Sequence, residues 1–164
     1  MVHIGIIGAA GLSGRELLHW LERHENSSVE VVTSSKYQGQ KVNDVFPELT
    51  NCSQIFQQND IDVSGCDLVF LAVPNQASLE SVPKLLEQGV RVVDLSGAFR
   101  LRDTEVFSKF YHLSHSAPEL LEEAAFGLPE YFSEQISAAR LVANPGCYAT
   151  GALLGILPLG ELLG

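Results

Sequence analysis

Positive charge, cysteine and long apolar runs are all scarce in this sequence, and each scarcity removes a class of function. Ten lysines and arginines stand against twenty acidic residues, for a net charge of −10. That balance argues against a nucleic-acid binder, whose affinity comes from cations neutralising phosphates, and against an anionic membrane surface. An anionic ligand must therefore be held by local groups, because the overall field repels it. No apolar run reaches the roughly 18 residues of a spanning helix. Cys52, Cys66 and Cys147 have neither C-x-x-C spacing nor metal-like spacing with the histidines, so no metal site is expected. Their odd count, without a signal-peptide pattern, predicts reduced thiols in the cytoplasm.

What is present is an alternation of strand-like and helix-like segments, without repeats or low-complexity stretches. The 164 residues suit one domain and, at 46% hydrophobic, can bury a real core. Residues 3–7 read as a short buried strand, 15–24 as a helix with Leu17, Leu18 and Leu21 on one face, and 29–33 as a β-branched strand. Residues 34–66 are polar and carry Gly39 and Pro47, which predicts a long irregular connection with room for one more strand. Residues 67–73 form a continuous apolar run, as a strand buried on both faces requires, and Pro74 ends it. A helix follows through Leu79, Val82, Leu85 and Leu86, kinked or split at Pro83, with Gly89 as its C-cap. Strands at 90–95 and 141–143, and a short helix at 116–124 opened by a Ser116-to-Glu119 capping box, complete the pattern. This order predicts an α/β fold with a parallel, doubly wound sheet of the Rossmann type.

The first turn carries the clearest ligand signal. Gly8-Ala9-Ala10-Gly11-Leu12-Ser13-Gly14 lies between the first strand and the first helix. Glycines there let backbone amides approach a pyrophosphate, and the helix N-terminus favours the negative charge. A carboxylate at the end of the second strand would accept the ribose hydroxyls of NAD. Here the strand runs into Thr33-Ser34-Ser35-Lys36. Hydroxyls and a cation suit a 2′-phosphate, so the expected cofactor is NADP(H), with Gly8, Gly11, Leu12, Ser13, Gly14, Ser34, Ser35 and Lys36 around it. Pro74, followed by Asn75 and Gln76, is placed to border the nicotinamide.

The second signal is a thiol. Asn144-Pro145-Gly146-Cys147-Tyr148 sets Cys147 between a strand end and the start of an apolar helix. Strand ends on this side of an α/β sheet face the ligand crevice, and a helix N-terminus favours a thiolate. Such a thiolate can form a thioester with an activated acyl group, from which hydride chemistry proceeds. A buried structural cysteine is the plainer reading of the spacing by itself. Ser96 and Arg100, in Asp94-Leu95-Ser96-Gly97-Ala98-Phe99-Arg100, could hold a substrate phosphate or carboxylate, and Asn144 joins them as a candidate. Arg102 and Asp103 read as a solvated surface pair. No histidine has a persuasive partner: His3, His19 and His24 fall on the structural side, and His112 and His115 in a surface loop.

These blocks, together with Val45-Phe46-Pro47, Val69-Phe70-Leu71-Ala72-Val73-Pro74, Ala117-Pro118-Glu119 and Phe126-Gly127-Leu128-Pro129-Glu130, resemble the N-terminal part of the N-acetyl-gamma-glutamyl-phosphate reductases. These are arginine-biosynthesis enzymes of the aspartate-semialdehyde dehydrogenase-like superfamily. The resemblance covers essentially the whole chain. It implies that Cys147 is the nucleophile, that NADPH reduces a thioester made from a small acyl phosphate, and that a semialdehyde and phosphate leave. It further implies a homo-oligomer when full length and a second α+β domain that supplies a histidine base.

On this reading residues 1–145 are the cofactor domain, and 146–164 begin a truncated catalytic and dimerisation domain. The apolar segment with Leu153, Leu154, Ile156, Leu157, Leu159, Leu162 and Leu163 then expects further sequence to pack against. Two positions depart from the family pattern. Ala98 stands where an aspartate is usual, which removes a polar contact expected near the substrate. Ala149 stands where a proline often follows Cys-Tyr. The aminoadipyl-phosphate reductases of lysine synthesis share much of the pattern, and a non-catalytic NADP-binding module is the alternative of another class.

Overall fold

A computed structural model describes residues 1–160. Leu162 and Leu163 of the apolar segment lie outside the described residues. In chain order the elements are β1 (Val2–Ile7), α1 (Leu12–Leu21), β2 (Ser27–Val32), α2 (Val42–Val45), β3 (Leu68–Leu71), α3 (Asn75–Glu87), β4 (Arg91–Asp94), α4 (Thr104–Tyr111), β5 (Ala125–Phe126), α5 (Pro129–Ala138), β6 (Leu141–Ala143) and α6 (Cys147–Ile156). Short 3-10 turns occupy Pro118–Leu121 and Leu157–Leu159.

The strands are short and apolar because both of their faces are covered. Along β1, Ile4 and Ile6 enter one core with Leu18, Val32 and Phe56, whereas Ile7 enters the other with Leu71, Leu79 and Phe107. On β3, Val69 and Leu71 face the second core and Phe70 the first. This period-two alternation places α1 and α2 on one side of the sheet and α3 and α4 on the other.

All strand pairs are parallel, in the order β2-β1-β3-β4-β6-β5. The chain winds from β1 out to β2, then crosses back to β3 on the far side of β1. The order reverses there, so a crevice opens above the C-terminal ends of β1 and β3, where open α/β sheets bind ligands. The doubly wound sheet expected from the sequence is the fold observed. No helix among the described residues is long and apolar enough to cross a membrane.

Several elements differ from the sequence expectation. α1 starts at Leu12, because Gly11, extended at ψ 170°, delivers the chain straight from the turn into the helix, and it stops at Leu21. β2 ends at Val32, and Thr33 instead bridges Gln57. β3 is four residues long, ending at Leu71 before Pro74 is reached. α3 runs unbroken through Pro83, with Leu79, Val82, Leu85 and Leu86 buried along it and their packing outweighing the lost hydrogen bond. The expected Ser116 capping box is absent: Ala117 takes the cap position of the 3-10 turn, no side chain caps it, and Ser116 is exposed. The 34–66 connection holds the short α2 and isolated bridges rather than another strand.

α4 and α5 were not expected at all. Asp103 caps α4 by accepting from the amides of Glu105 and Val106. Arg91 of β4 binds the end of α5 through the carbonyls of Ile136, Ser137 and Ala139. α6 carries Leu154 and Ile156, yet none of its residues is buried.

Candidate functional site

The glycine turn is built by backbone sterics. Gly8 has φ +85°, and a Cβ there would strike the carbonyl of Ala72. At Gly14 a Cβ would lie 2.5 Å from Ala9 Cα. These two glycines let α1 and β3 close around the turn. Gly11 differs, since a Cβ would meet only the Gly8 carbonyl, at 3.6 Å. Its bareness serves the open side of the turn. No side chain caps α1, so the amides of Leu12, Ser13 and Gly14 have no intrahelical acceptor. Those amides and the open mouth at Gly11 fit a pyrophosphate.

Gly8, Gly11, Ser34, Ser35, Lys36 and Pro74 line one cleft of about 350 Å³ over the β1/β3 crevice. Sequence reasoning had named all of these. Leu12 is 90% exposed and lines a neighbouring surface cleft instead, while Ser13 faces the groove described below. The cleft also contains two residues that the sequence reading passed over, Tyr37 and Asn59. Tyr37 carries Lys36 Nζ 4.9 Å above its ring. Among the described residues no carboxylate lines this cleft.

Cys147 is exposed at the first position of α6, with Gly146 as its N-cap. It lines a groove of about 870 Å³ together with Arg100 and Asn144. The parallel pairing of β4 with β6 brings these residues together from distant parts of the chain. Arg100 donates from Nε to the Asn144 carbonyl at 2.7 Å and from Nη2 to the Leu95 carbonyl at 2.8 Å. This holds the guanidinium beside Gly146, whose added Cβ would sit 3.1 Å from Nη1. Glu16, Leu17 and Trp20 of α1 form the opposite wall, a use of that helix that its leucine pattern did not reveal. No histidine lines the groove among the described residues.

Ser96 is 8% exposed and does not line the groove. Its hydroxyl donates to Asp94 Oδ2 at 2.8 Å and accepts from the Ala98 amide at 3.0 Å. It braces the loop that carries Arg100. Burial pushes the Asp94 carboxyl above the usual aspartate range, against the Ser96 hydrogen bonds and the Arg100 charge, which pull it down. Asn75 reinforces the same loop, accepting from the Gly97 amide at 2.7 Å. Ala98 is fully buried in the core, so this departure from the family pattern falls inside the molecule rather than on a substrate wall.

Arg102 faces Glu122 at 3.8 Å rather than Asp103, which is occupied capping α4. His115 is half-buried rather than free in solvent: its ring contacts Phe99 and Phe107 edge-on, and it bonds the Ala98 carbonyl and the Ala117 amide.

A parallel sheet with an open glycine turn at its switch point defines a dinucleotide-binding domain of the Rossmann type, here with a thiol at another strand end of the same sheet. The profile of the semialdehyde dehydrogenase NAD-binding domain matches residues 3–139, and the chain belongs to that family. Relatives include N-acetyl-gamma-glutamyl-phosphate reductases from Alkalilimnicola ehrlichii and Halorhodospira halophila. Each is 47% identical over 98% of this chain. The alignments span 48% and 47% of those proteins, so the chain covers about half the length of the curated relatives it matches. Among solved structures, aspartate semialdehyde dehydrogenase II of Vibrio cholerae shares the fold at a TM-score of 0.72 with 19% identity, over 98% of this chain and 47% of that one. The Candida albicans aspartate semialdehyde dehydrogenase solved with NADP gives 0.69 with 18% identity, over the same shares.

Proposed function

We propose that this chain is the cofactor-binding and nucleophile-bearing part of an NADPH-dependent reductase that converts N-acetyl-gamma-glutamyl phosphate to the semialdehyde and phosphate. The observation that carries the proposal is the exposed Cys147 thiol at a helix start, in one groove with Arg100 and beside the glycine-turn crevice. The relatives' name supplies the substrate.

In this reading the Cys147 thiolate attacks the acyl carbon, the C–O bond to phosphate breaks, and a thioester forms on sulfur. The α6 N-terminus, with no side-chain cap, offers its free amides to the developing oxyanion. Arg100, fixed by two backbone carbonyls, presents Nη1 toward the leaving phosphate. Asn144 holds Arg100 through its carbonyl. NADPH, which the Gly8–Gly11 turn and the Ser34–Lys36 loop would hold, would supply the hydride that reduces this thioester, with Cys147 as the leaving thiolate.

The choice of NADP over NAD is supported by Ser34, Ser35 and Lys36, which line a cleft that no carboxylate among the described residues enters. We also assign residues 1–145 to the cofactor domain and 146–164 to the beginning of the catalytic one, a boundary supported by the absence of any buried residue on α6. Homo-oligomerisation and a cytoplasmic location belong to the same reading, the latter supported by three free thiols.

The test is acylation of the full-length protein, second domain included, by N-acetyl-gamma-glutamyl phosphate without cofactor, since the 164 residues alone are expected to bind cofactor without appreciable turnover. Wild-type protein is expected to release a stoichiometric burst of phosphate and to gain the acyl mass on Cys147, and Cys147→Ser to do neither. A wild-type protein that remains unacylated, or an acylated Cys147→Ser variant, would sink the assignment.

A further inference from the structure

Asn59 joins the two halves of the cofactor cleft. Thr33, fully buried at the end of β2, accepts from the Gly8 amide at 3.0 Å and donates its hydroxyl to Asn59 Oδ1 at 2.6 Å. The second distance suits O–H···O and is shorter than N–H···O contacts reach, which fixes the end of the Asn59 amide that faces Thr33. The other end, Nδ2, donates to Ser35 Oγ at 3.1 Å. A serine hydroxyl has a single proton. With the amide donating into its oxygen from the protein side, Ser35 directs that proton to the cleft.

We infer that Asn59 is a positioning residue for cofactor selection: it turns Ser35 into a donor toward the cleft, matched to a ligand group that only accepts, such as a phosphate on the adenosine ribose. The inference rests on the proposed reading of Ser34, Ser35 and Lys36 as the ribose-side loop. A phosphate carries acceptors only and takes the donor fully. A ribose hydroxyl brings its own proton, which needs an acceptor, and among the described residues no carboxylate lines the cleft. Through Thr33 the same side chain is linked to the Gly8 amide, so the glycine turn and the ribose-side loop share one brace.

The test is fluorescence titration of the full chain with NADPH and with NADH, for wild type, Ser35→Ala, Asn59→Ala and the double variant. Each single substitution is expected to lower NADPH affinity roughly tenfold more than NADH affinity, the size of one charge-assisted hydrogen bond. The double variant is expected to show the same selectivity as Ser35→Ala, because Asn59 acts through Ser35. Equal losses for both cofactors in Asn59→Ala would make Asn59 a mere loop brace and overturn the inference, as would additive effects on selectivity. Ser35→Ala alters an exposed side chain and reports even where Asn59→Ala fails to fold; an unchanged NADPH preference in it also overturns the inference. A wild-type chain without NADPH preference refutes the loop reading and this inference together. A wild-type preference that survives both substitutions refutes only the role given to Asn59.

Discussion

The three glycines of the first turn do different work, although the sequence presents them as one motif. Gly8 and Gly14 are demanded by the protein's own backbone, which a Cβ at either position would strike. Gly11 has room on the protein side. Gly14→Ala should therefore destabilise the fold by about 2–4 kcal/mol, because the atoms it meets are main chain and cannot rotate away. Gly11→Ala should stay within roughly 0.5 kcal/mol of wild type and yet weaken cofactor binding, because the methyl group intrudes on the ligand's side. Urea unfolding paired with NADPH titration separates the two. Equal destabilisation by both substitutions would show that Gly11 too is a packing residue. The same distinction applies to Ser96, chosen from sequence as a substrate contact because it follows a strand end. Its neighbour Asp94 uses the hydroxyl inside the loop, a geometry that residue order does not reveal.

Elements with a strong apolar period were legible, and those resting on caps and long-range contacts were not. β1, β3, β4 and β6 announced themselves as apolar runs because both faces of the sheet are covered. α4 was missed because Phe107 is its only buried residue, although the Asp103 cap was present to be read. α5 was missed because none of its residues is buried and Arg91, 45 or more residues away, binds its last carbonyls. His115 belongs to the same class of oversight. It does lie in a loop, as expected, but half-buried, where it links the Ala98 loop to the Ala117 turn beside α4. Burial lowers its pKa below the usual 6.5, outweighing the Ala98 hydrogen bond and the Glu119 charge, which raise it. A depressed folded-state pKa gives stability that is present above the unfolded value and lost as pH falls through the folded one. Denaturant midpoints should therefore fall as pH is lowered from about 7 to about 5. His115→Gln, which cannot titrate, should lose less across that window. Parallel pH profiles for the two proteins would mean that other groups carry the effect.

For the molecule as a whole, the cofactor crevice was readable because its ligands cluster within the first turn and the loop after β2. The groove around Cys147 was only half readable. Arg100 and Asn144 were named, but the α1 wall of Glu16, Leu17 and Trp20 comes into place only through the crossing of the sheet. The three thiols test this architecture together. Cys52 and Cys66 sit in the two separate cores, one on each face of the sheet. Burial, helped by Glu22, pushes the Cys52 thiol up to about 11, and burial likewise raises Cys66. Both are small hydrophobes of the core, unreactive near neutral pH. Cys147 stands alone in the solvent-facing groove. A thiol reagent at neutral pH should thus modify Cys147 rapidly in the native protein, and the other two only after denaturant unfolds it. Inorganic phosphate should slow the reaction by occupying the space beside Arg100, and NADPH should slow it as well, because the proposed hydride transfer brings the nicotinamide over the same thiol. Native-state labelling of Cys52 at the rate of Cys147 would mean that the α1 side of the sheet opens. Phosphate without any effect on Cys147 would remove Arg100 from the anion's neighbourhood.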